Sequence, residues 1–227
     1  GLLEFFELLQ DQELLVRARQ DDYLVTHPLT QNRIEFVRNH VARSPYSDIK
    51  LPSILQAMHD RMVAKLKGFI NPPSQTLYEF KANDTSVMAR YARTVAYYRD
   101  ARIAQALPLI DGLIADAPND PYFHELKGQI LFENGKIKEA LPSYKKAVDL
   151  KPNQPLLRVG LAHAQIEMNQ PGLIPEALRN LEQAIRYDQF MPLSWRLSAT
   201  AHGRSGHPGM SALALAAPTL LLGPNLD

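Results

Sequence analysis

The chain of 227 residues contains no cysteine, which excludes disulfides and thiolate metal sites. It has no excess of one charge, because 25 basic and 24 acidic residues leave a net charge of +1. Proteins that hold phosphate backbones need a surplus of Lys and Arg, so this balance argues against nucleic acid as a partner. No run of about 18 uncharged apolar residues is present, and we predict no membrane span.

The sequence also has no initiator Met, and its first seven residues place two glutamates where a signal peptide would carry positive charge. We therefore expect it to begin within a longer polypeptide. What is present is an ordinary globular composition, with 45% hydrophobic and 22% charged residues. Composition alone does not indicate a function.

Two stretches of the chain match at an offset of 34 residues. The matching pairs are Ile103 and Ile137, Ala106 and Ala140, Leu107 and Leu141, Pro108 and Pro142, Pro118 and Pro152, and Asn119 and Asn153. This period is typical of tetratricopeptide repeats, in which each repeat is a pair of antiparallel helices. Single pairs cannot bury their apolar faces, so neighbours must stack. The sequence predicts an all-α fold, a tetratricopeptide-repeat helical solenoid preceded by a short helical segment.

The pattern predicts three regions along the chain. Residues 1–70 form the short helical segment, residues 71–85 form a linker marked by Pro72 and Pro73, and residues 86–227 form the repeats. About four repeats are expected, starting near residues 87, 121, 155 and 192, and the last one is degenerate. The third carries a three-residue insertion between its helices. Whether the tail after Pro208 is ordered stays open.

The second repeat follows the tetratricopeptide pattern well. It has small residues at Gly128, Ala140 and Ala147 and an aromatic residue at Tyr144. We expect Ala140 and Ala147 to be buried where the helices of the pair cross, because a larger side chain there would push the backbones apart.

Three helices are predicted in the first region, over residues 2 to 19, after Thr30 and after Ser53. The third of these has an apolar stripe, which we expect to face the interior. Its members are Ile54, Leu55, Met58, Met62, Val63 and Leu66.

A binding surface is predicted on the first helix of each repeat, because in tetratricopeptide domains this helix lines the concave groove. The family pattern maps the contacts onto Tyr91, Val95, Tyr98, Arg99, Tyr122, Glu125, Gln129, Phe132, Glu133, Val159, His163, Arg196 and Arg204. Aromatic residues flanked by Arg are common in binding hot spots. The alternative, that the aromatic rings only pack against neighbouring helices, stays open. The predicted partners are protein or peptide segments.

The residues suggest no active site within the chain. His124 and Glu125 begin a string that resembles the zinc motif HExxH, but Gly128 stands where the second His is needed and has no metal ligand. We therefore predict a packing role for His124. His202 and His207 are five residues apart, which is not a spacing that places both on one helix face. We expect no catalytic residue, no metal ligand set and no cofactor in this chain.

A resemblance gives a more specific expectation. Residues 26–34, Thr-His-Pro-Leu-Thr-Gln-Asn-Arg-Ile, resemble the segment that closes the catalytic domain of HExxH zinc metallopeptidases related to HtpX and the CAAX prenyl proteases. One periplasmic branch of that family, the enzymes like the β-barrel assembly-enhancing protease, continues into tetratricopeptide repeats, which residues 121–129 resemble. The HExxH helix and the downstream glutamate ligand of that family have no match in this chain.

The resemblance implies the non-catalytic C-terminal part of a zinc metalloendopeptidase, inactive alone, whose solenoid recognises a substrate or partner. The zinc and the catalytic domain would lie outside the chain, in a periplasmic and membrane-associated enzyme. His27 would then lie beside that zinc, although a His that caps a turn is the other interpretation. The rival hypothesis is a free-standing tetratricopeptide adaptor with no enzymatic parent.

Overall fold

The computed structural model describes residues 2–5, 7, 30–47, 49–50 and 52–222, which contain helices and no strand. The chain divides into two compact units, Gly1–Gln56 and Ala57–Asp227. Among the described residues, no helix has the length and apolar character needed to cross a bilayer.

The first unit contains helix α1 (Thr30–Arg43). The sequence also predicts an apolar stripe on this helix, formed by Ile34, Val37 and Val41, but only Ile34 is buried and Val41 is 42% exposed. Arg38 forms an ion pair with Glu7 at 2.8 Å, which joins α1 to the described start of the chain. The predicted zinc-side residue His27 lies outside the described residues, and so does most of the helix predicted over residues 2 to 19.

The second unit is built from helices in sequence. They are α2 (Ser53–Ile70, of which residues 57–70 belong to this unit), α3 (Pro73–Glu79), α4 (Val87–Arg99), α5 (Ile103–Asp116), α6 (Pro121–Glu133), α7 (Ile137–Leu150), α8 (Pro155–Glu167), α9 (Ile174–Tyr187), α10 (Pro192–Arg204) and α11 (Pro208–Leu222). From α4 onward they follow one another as four helix pairs, and the predicted all-α tetratricopeptide fold is confirmed. The three-residue insertion holds a short 3₁₀ turn, Pro171–Leu173.

The start of most first helices follows from proline. Pro121, Pro155 and Pro192 each occupy the first position of a helix, where the missing N–H has no intrahelical partner to lose and φ is already set. Asp120 caps α6 by accepting a hydrogen bond from the Tyr122 N–H at 2.9 Å.

The turn inside each repeat contains one residue in the left-handed region. These residues are Ala101, Gly135, Asn169 and Gly206, with φ of 56°, 74°, 51° and 73°. Gly adopts this conformation without strain, whereas a Cβ makes it costly. The residue after Gly135 donates its N–H to the Leu131 carbonyl at 2.9 Å, which satisfies one of the last carbonyls of α6. The turn recurs in every repeat although only two repeats use Gly.

The core of the repeats consists of small residues where helices cross and larger apolar residues between pairs. Ala140 and Ala147 are fully buried, as predicted from the repeat pattern. Leu107 packs against both the cluster of the first repeat and the cluster around Tyr144. The repeats are therefore joined by shared side chains.

The apolar stripe of α2 was predicted to be buried, and this prediction is wrong for five of its six residues, since Val63 is the one member that is partly buried. Met58 and Met62 are each 52% exposed, while Ala64 and Gly68, on another side of the helix, are buried. A Cβ at Gly68 would lie 2.8 Å from the Cβ of Val95 in α4, so the backbone of α2 approaches the first repeat closely. Small residues allow this approach and long apolar ones would prevent it, so the stripe faces away.

Residues 71–85, predicted to be a linker, contain helix α3 and pack on the first repeat. Thr76 is fully buried and Phe80 is 7% exposed. The Thr76 hydroxyl donates to the Lys67 carbonyl at 3.2 Å, and Arg93 of α4 donates to the carbonyls of Lys81 and, at 2.9 Å, Asp84. Paired prolines ended α2 as expected, but Pro73 then starts a new helix instead of a free segment.

Candidate binding surface on the first helices

The first helices of the repeats form one continuous surface, which we call the groove face (α4, α6, α8 and α10). Side chains link each first helix to the next. Tyr98 of α4 donates its hydroxyl to Glu133 of α6, and the ring of Phe132 lies 4.7 Å from the ring of His163 in α8. Arg204 of α10 donates to Glu167 of α8 at 3.2 Å.

Three residues predicted on this surface are buried and offer no contact area. Tyr91, Val95 and Val159 are 1%, 0% and 3% exposed. Tyr91 packs its ring against Phe123 with centroids 5.8 Å apart, and Val95 lies under Gly68 of α2. These apolar side chains fill the space between neighbouring helices, so they belong to the core and not to the binding surface.

Helix α2 lies against the groove face of the first two repeats. Arg61 pairs with Asp120, and its guanidinium lies 4.9 Å from the centre of the Tyr122 ring. Lys65 places its Nζ 3.7 Å from Oε2 of Glu125. Two of the predicted contact residues, Tyr122 and Glu125, are therefore engaged by the chain's own helix.

The end of α2 is held in the same way. Arg99 donates to the carbonyls of Gly68 and Asn71 at 3.0 and 2.6 Å, which satisfies backbone oxygens that the helix end leaves free. Phe69 meets Tyr98 edge to face, with ring centroids 6.3 Å apart. The first half of the predicted surface thus binds a helix from within the chain.

Burial changes the acid and base behaviour of this region. Burial raises the pKa of Glu125, and the positive charge of Lys65 opposes that shift. Within the described part of the chain, Oε2 of Glu125 is buried and accepts no hydrogen bond. Burial also raises the pKa of Tyr98, helped by its hydrogen bond to the Glu133 carboxylate, so Tyr98 is a neutral donor.

The remaining predicted residues lie beyond α2 and are at least partly accessible. Gln129, Phe132 and His163 are half-buried, whereas Glu133, Arg196 and Arg204 are exposed. We call these six residues the open groove. Burial lowers the pKa of His163, against the opposing effect of Glu167, so the imidazole is neutral near pH 7. The surface offers a neutral aromatic pair with an acid on one side and two Arg on the other.

Contacts of α2 with the groove face are made by Arg61, Lys65 and Phe69, none of which was predicted from the sequence. Their four-residue spacing places them on one side of the helix, and this spacing could have indicated a contact face. His124 bonds through Nε2 to the Pro118 carbonyl at 2.8 Å, as expected of a structural residue. In the described ranges, no group of three His, Asp or Glu side chains is placed to hold a metal ion.

A second concavity of about 720 Å³ opens between α7, α8 and α9. Its polar lining is already connected, since Arg158 donates to Asn180 at 2.8 Å, Asn180 donates to Gln165 at 3.1 Å and Gln165 donates to Glu176 at 3.0 Å. Gln165 is 4% exposed. The network stabilises the third repeat around its insertion.

Comparison with known proteins agrees with this architecture. Models of the tetratricopeptide repeat match residues 91–155 and 131–199. Among solved structures, MamA MSR-1 superposes with a TM-score of 0.58 at 17% identity and covers 74% of this chain and 97% of that one. YrrB, described as a tetratricopeptide protein with an unusual peptide-binding site, gives 0.57 at 15% identity and covers 73% and 86%. At these identities the likeness shows the fold alone.

The sequence is also similar to β-barrel assembly-enhancing proteases. The protein of Yersinia pestis is 24% identical over 211 residues, which is 89% of this chain and 41% of the relative. The protein of Escherichia coli K12 is 27% identical over 176 residues, which is 74% of this chain and 34% of the relative. The chain therefore spans less than half of these relatives. Its fold is a tetratricopeptide-repeat solenoid, and its sequence has a low-identity likeness to part of the β-barrel assembly-enhancing proteases.

Proposed function

We propose that this chain is a protein-binding module that takes a segment of another protein in the open groove. The observation that carries the proposal is the pair of Phe132 and His163, partly accessible on the groove face beyond the end of α2. Rigid aromatic side chains give large contact area at low entropic cost, and they dominate binding energy in many interfaces. The α2 contacts support the same mode, since they show this face holding a helix.

The charges indicate the chemistry of the segment. Glu133 is exposed and receives hydrogen bonds from the neutral donors Tyr98 and, at 2.9 Å, Gln129. No described cation pairs with it. A basic side chain therefore fits beside Glu133, and an apolar or aromatic one fits on the ring pair. Toward α10, exposed Arg196 suits an acidic group.

Selected peptides test the open groove directly. A phage-displayed peptide library would be selected on the 227-residue chain, and binding of the selected peptides would be measured by fluorescence anisotropy. Phe132→Ala should weaken binding by about tenfold or more, as truncation of a hot spot does. The matched control is Lys146→Ala on the exposed side of α7, which should change nothing. Equal affinity for both variants would move the binding site off this face.

We propose further that the module belongs to a longer zinc metalloendopeptidase. The likeness to β-barrel assembly-enhancing proteases supports this parent, and so does the fact that the chain spans 41% and 34% of two of them. In that enzyme, zinc and the catalytic domain would come from outside this chain, His27 would lie near the metal, and the setting would be the periplasm. The module would present substrate or partner to the catalytic part.

The parent enzyme and the free-standing adaptor are separated by one assay. The gene would be read upstream of Gly1 for an HExxH helix, and the longer polypeptide would be incubated with casein. Cleavage that stops on chelation and returns with zinc supports the peptidase, while the 227-residue chain alone should cleave nothing. A gene without that helix leaves the adaptor hypothesis.

A further inference from the structure

One face of α2 carries a line of large apolar side chains that the described structure leaves uncovered. Residues at intervals of four form this line, which we call the α2 ridge. Its members in the second unit and their exposed fractions are Met58 52%, Met62 52%, Leu66 49% and Ile70 72%. Single exposed apolar residues are normal, whereas a contiguous apolar patch marks an interaction surface.

The ridge is held outward by the contacts on another face of the same helix. Gly68 lies against Val95, Arg61 pairs with Asp120, and Arg99 caps the end of the helix. Rotating α2 to bury the ridge would break these contacts, so Asp120 would lose its ion pair with Arg61 and Arg99 would lose the carbonyls to which it donates. The exposure is therefore a built-in property of how α2 docks.

The spacing of the ridge indicates what kind of element covers it. Side chains four apart form the ridge that, in the commonest class of helix packing, fits the matching groove of a second helix at about 50°. Its two Met side chains add adaptable contact surface. An α-helix with an apolar face of its own is the partner that fits.

Area favours a helix of the same polypeptide over a second copy. The ridge spans roughly 18 Å of helix and exposes on the order of 400 Å², below the roughly 800 Å² per partner of a stable complex. A helix in the same polypeptide does not pay the full cost of lost translational and rotational freedom. The relatives are also long enough to supply one, because this chain spans only 41% and 34% of them.

We infer that the α2 ridge is the docking surface for a helix from the part of the longer polypeptide outside this chain. The inference rests on the proposed function, in which the module belongs to a longer peptidase. With one face on the repeats and the ridge on that helix, α2 would fix the solenoid to the rest of the enzyme. The open groove would remain free for a partner.

The rate of methionine oxidation measures whether the ridge is covered. The 227-residue chain and the longer polypeptide would be treated with dilute hydrogen peroxide, and sulfoxide at each Met would be followed by peptide mass spectrometry. Met210 in α11 is the internal control, because it is 49% exposed and far from the ridge in sequence. We expect Met58 and Met62 to oxidise like Met210 in the 227-residue chain, and about tenfold more slowly than Met210 in the longer polypeptide.

A ridge variant makes the test sharper. Met62→Glu should leave the melting temperature of the 227-residue chain unchanged, because the side chain is half exposed there. In the longer polypeptide the same change places a charge in an apolar contact, so Met58 should lose its protection. An unchanged Met58 rate in that variant would overturn the proposal.

The other outcomes also decide the matter. Equal oxidation of Met58 and Met62 in both proteins, or a gene that encodes nothing beyond this chain, overturns the inference. Protection of Met58 and Met62 already present in the 227-residue chain overturns it too. If that protection increases with protein concentration, a second copy covers the ridge. If it does not, residues of the same chain cover it. Casein cleavage is scored separately. Protection without cleavage supports the docking and overturns the peptidase assignment, whereas cleavage without protection overturns the docking alone.

Discussion

Tyr144 shows how single residues set the packing between repeats. Its ring lies between two helices that each present a Gly. A Cβ at Gly128 would stand 2.9 Å from the ring, and a Cβ at Gly160 would stand 2.9 Å from its other part. The repeat pattern predicted small residues at 128 and 140, with an aromatic residue at 144. The role of Gly160 was not predicted, because it depends on which ring edge meets the next repeat.

The first prediction concerns Gly128. Gly128→Ala should lower the free energy of unfolding by about 1 to 3 kcal/mol, because the new methyl group overlaps the Tyr144 ring and the ring is fixed from both sides. Urea denaturation followed by circular dichroism measures the change. Gly172→Ala is the control, since a Cβ there meets nothing within 4 Å. Unchanged or higher stability of Gly128→Ala would show that the Tyr144 ring moves aside, because helix propensity by itself favours Ala over Gly at this position.

At the scale of an element, α2 is the part of the fold that sequence periodicity described least well. Its apolar stripe at helical spacing predicted a buried face, which is the usual meaning of such a pattern. The structure instead buries Ala64 and Gly68, and it uses Arg61 and Lys65 to reach the acids of the second repeat. A pattern of this kind identifies the helix and its two faces. It does not identify which face meets which neighbour.

The second prediction concerns how α2 is attached. Gly68→Leu should detach the end of α2 from the first repeat, since even a Cβ at this position would come within 2.8 Å of Val95. Hydrogen exchange should then become faster for amides 57–70 while those of α8 to α11 keep their protection. Leu66→Ala is the matched control on the exposed side and should leave exchange in the helix almost unchanged. Slow exchange in Gly68→Leu would show that the ion pairs alone hold α2.

At the scale of the whole second unit, stability is a sum over repeats and over the contacts between them. Three apolar clusters follow one another along the repeats, and Leu107 contributes to two of them. The small residues at helix crossings set the distance between the two helix backbones of a repeat. The apolar contacts between neighbouring repeats depend on that distance. Damage at one crossing should therefore spread to its neighbours.

The third prediction tests this coupling. Ala140→Leu should lower the free energy of unfolding by about 1 to 3 kcal/mol, because Ala140 is fully buried and a larger side chain separates α6 from α7. Differential scanning calorimetry measures the lowered melting temperature, and faster amide exchange should appear in α5 and α8 as well. The control is Ala104→Leu on the exposed side of α5. A change confined to α6 and α7 would argue against coupling between repeats.

The sequence by itself determined the repeats. Their period, the small residues at crossings such as Ala140 and Ala147, the prolines that start helices and the inserted turn all follow from local conformational limits, which act within a few residues. Only the tertiary structure decided the rest. Three features depend on contacts between residues that are distant in sequence. They are the burial of Tyr91, the half of the groove that α2 occupies, and the outward orientation of the α2 ridge. One-dimensional periodicity gives a helix its faces, but the burial of each face depends on the element that reaches it first.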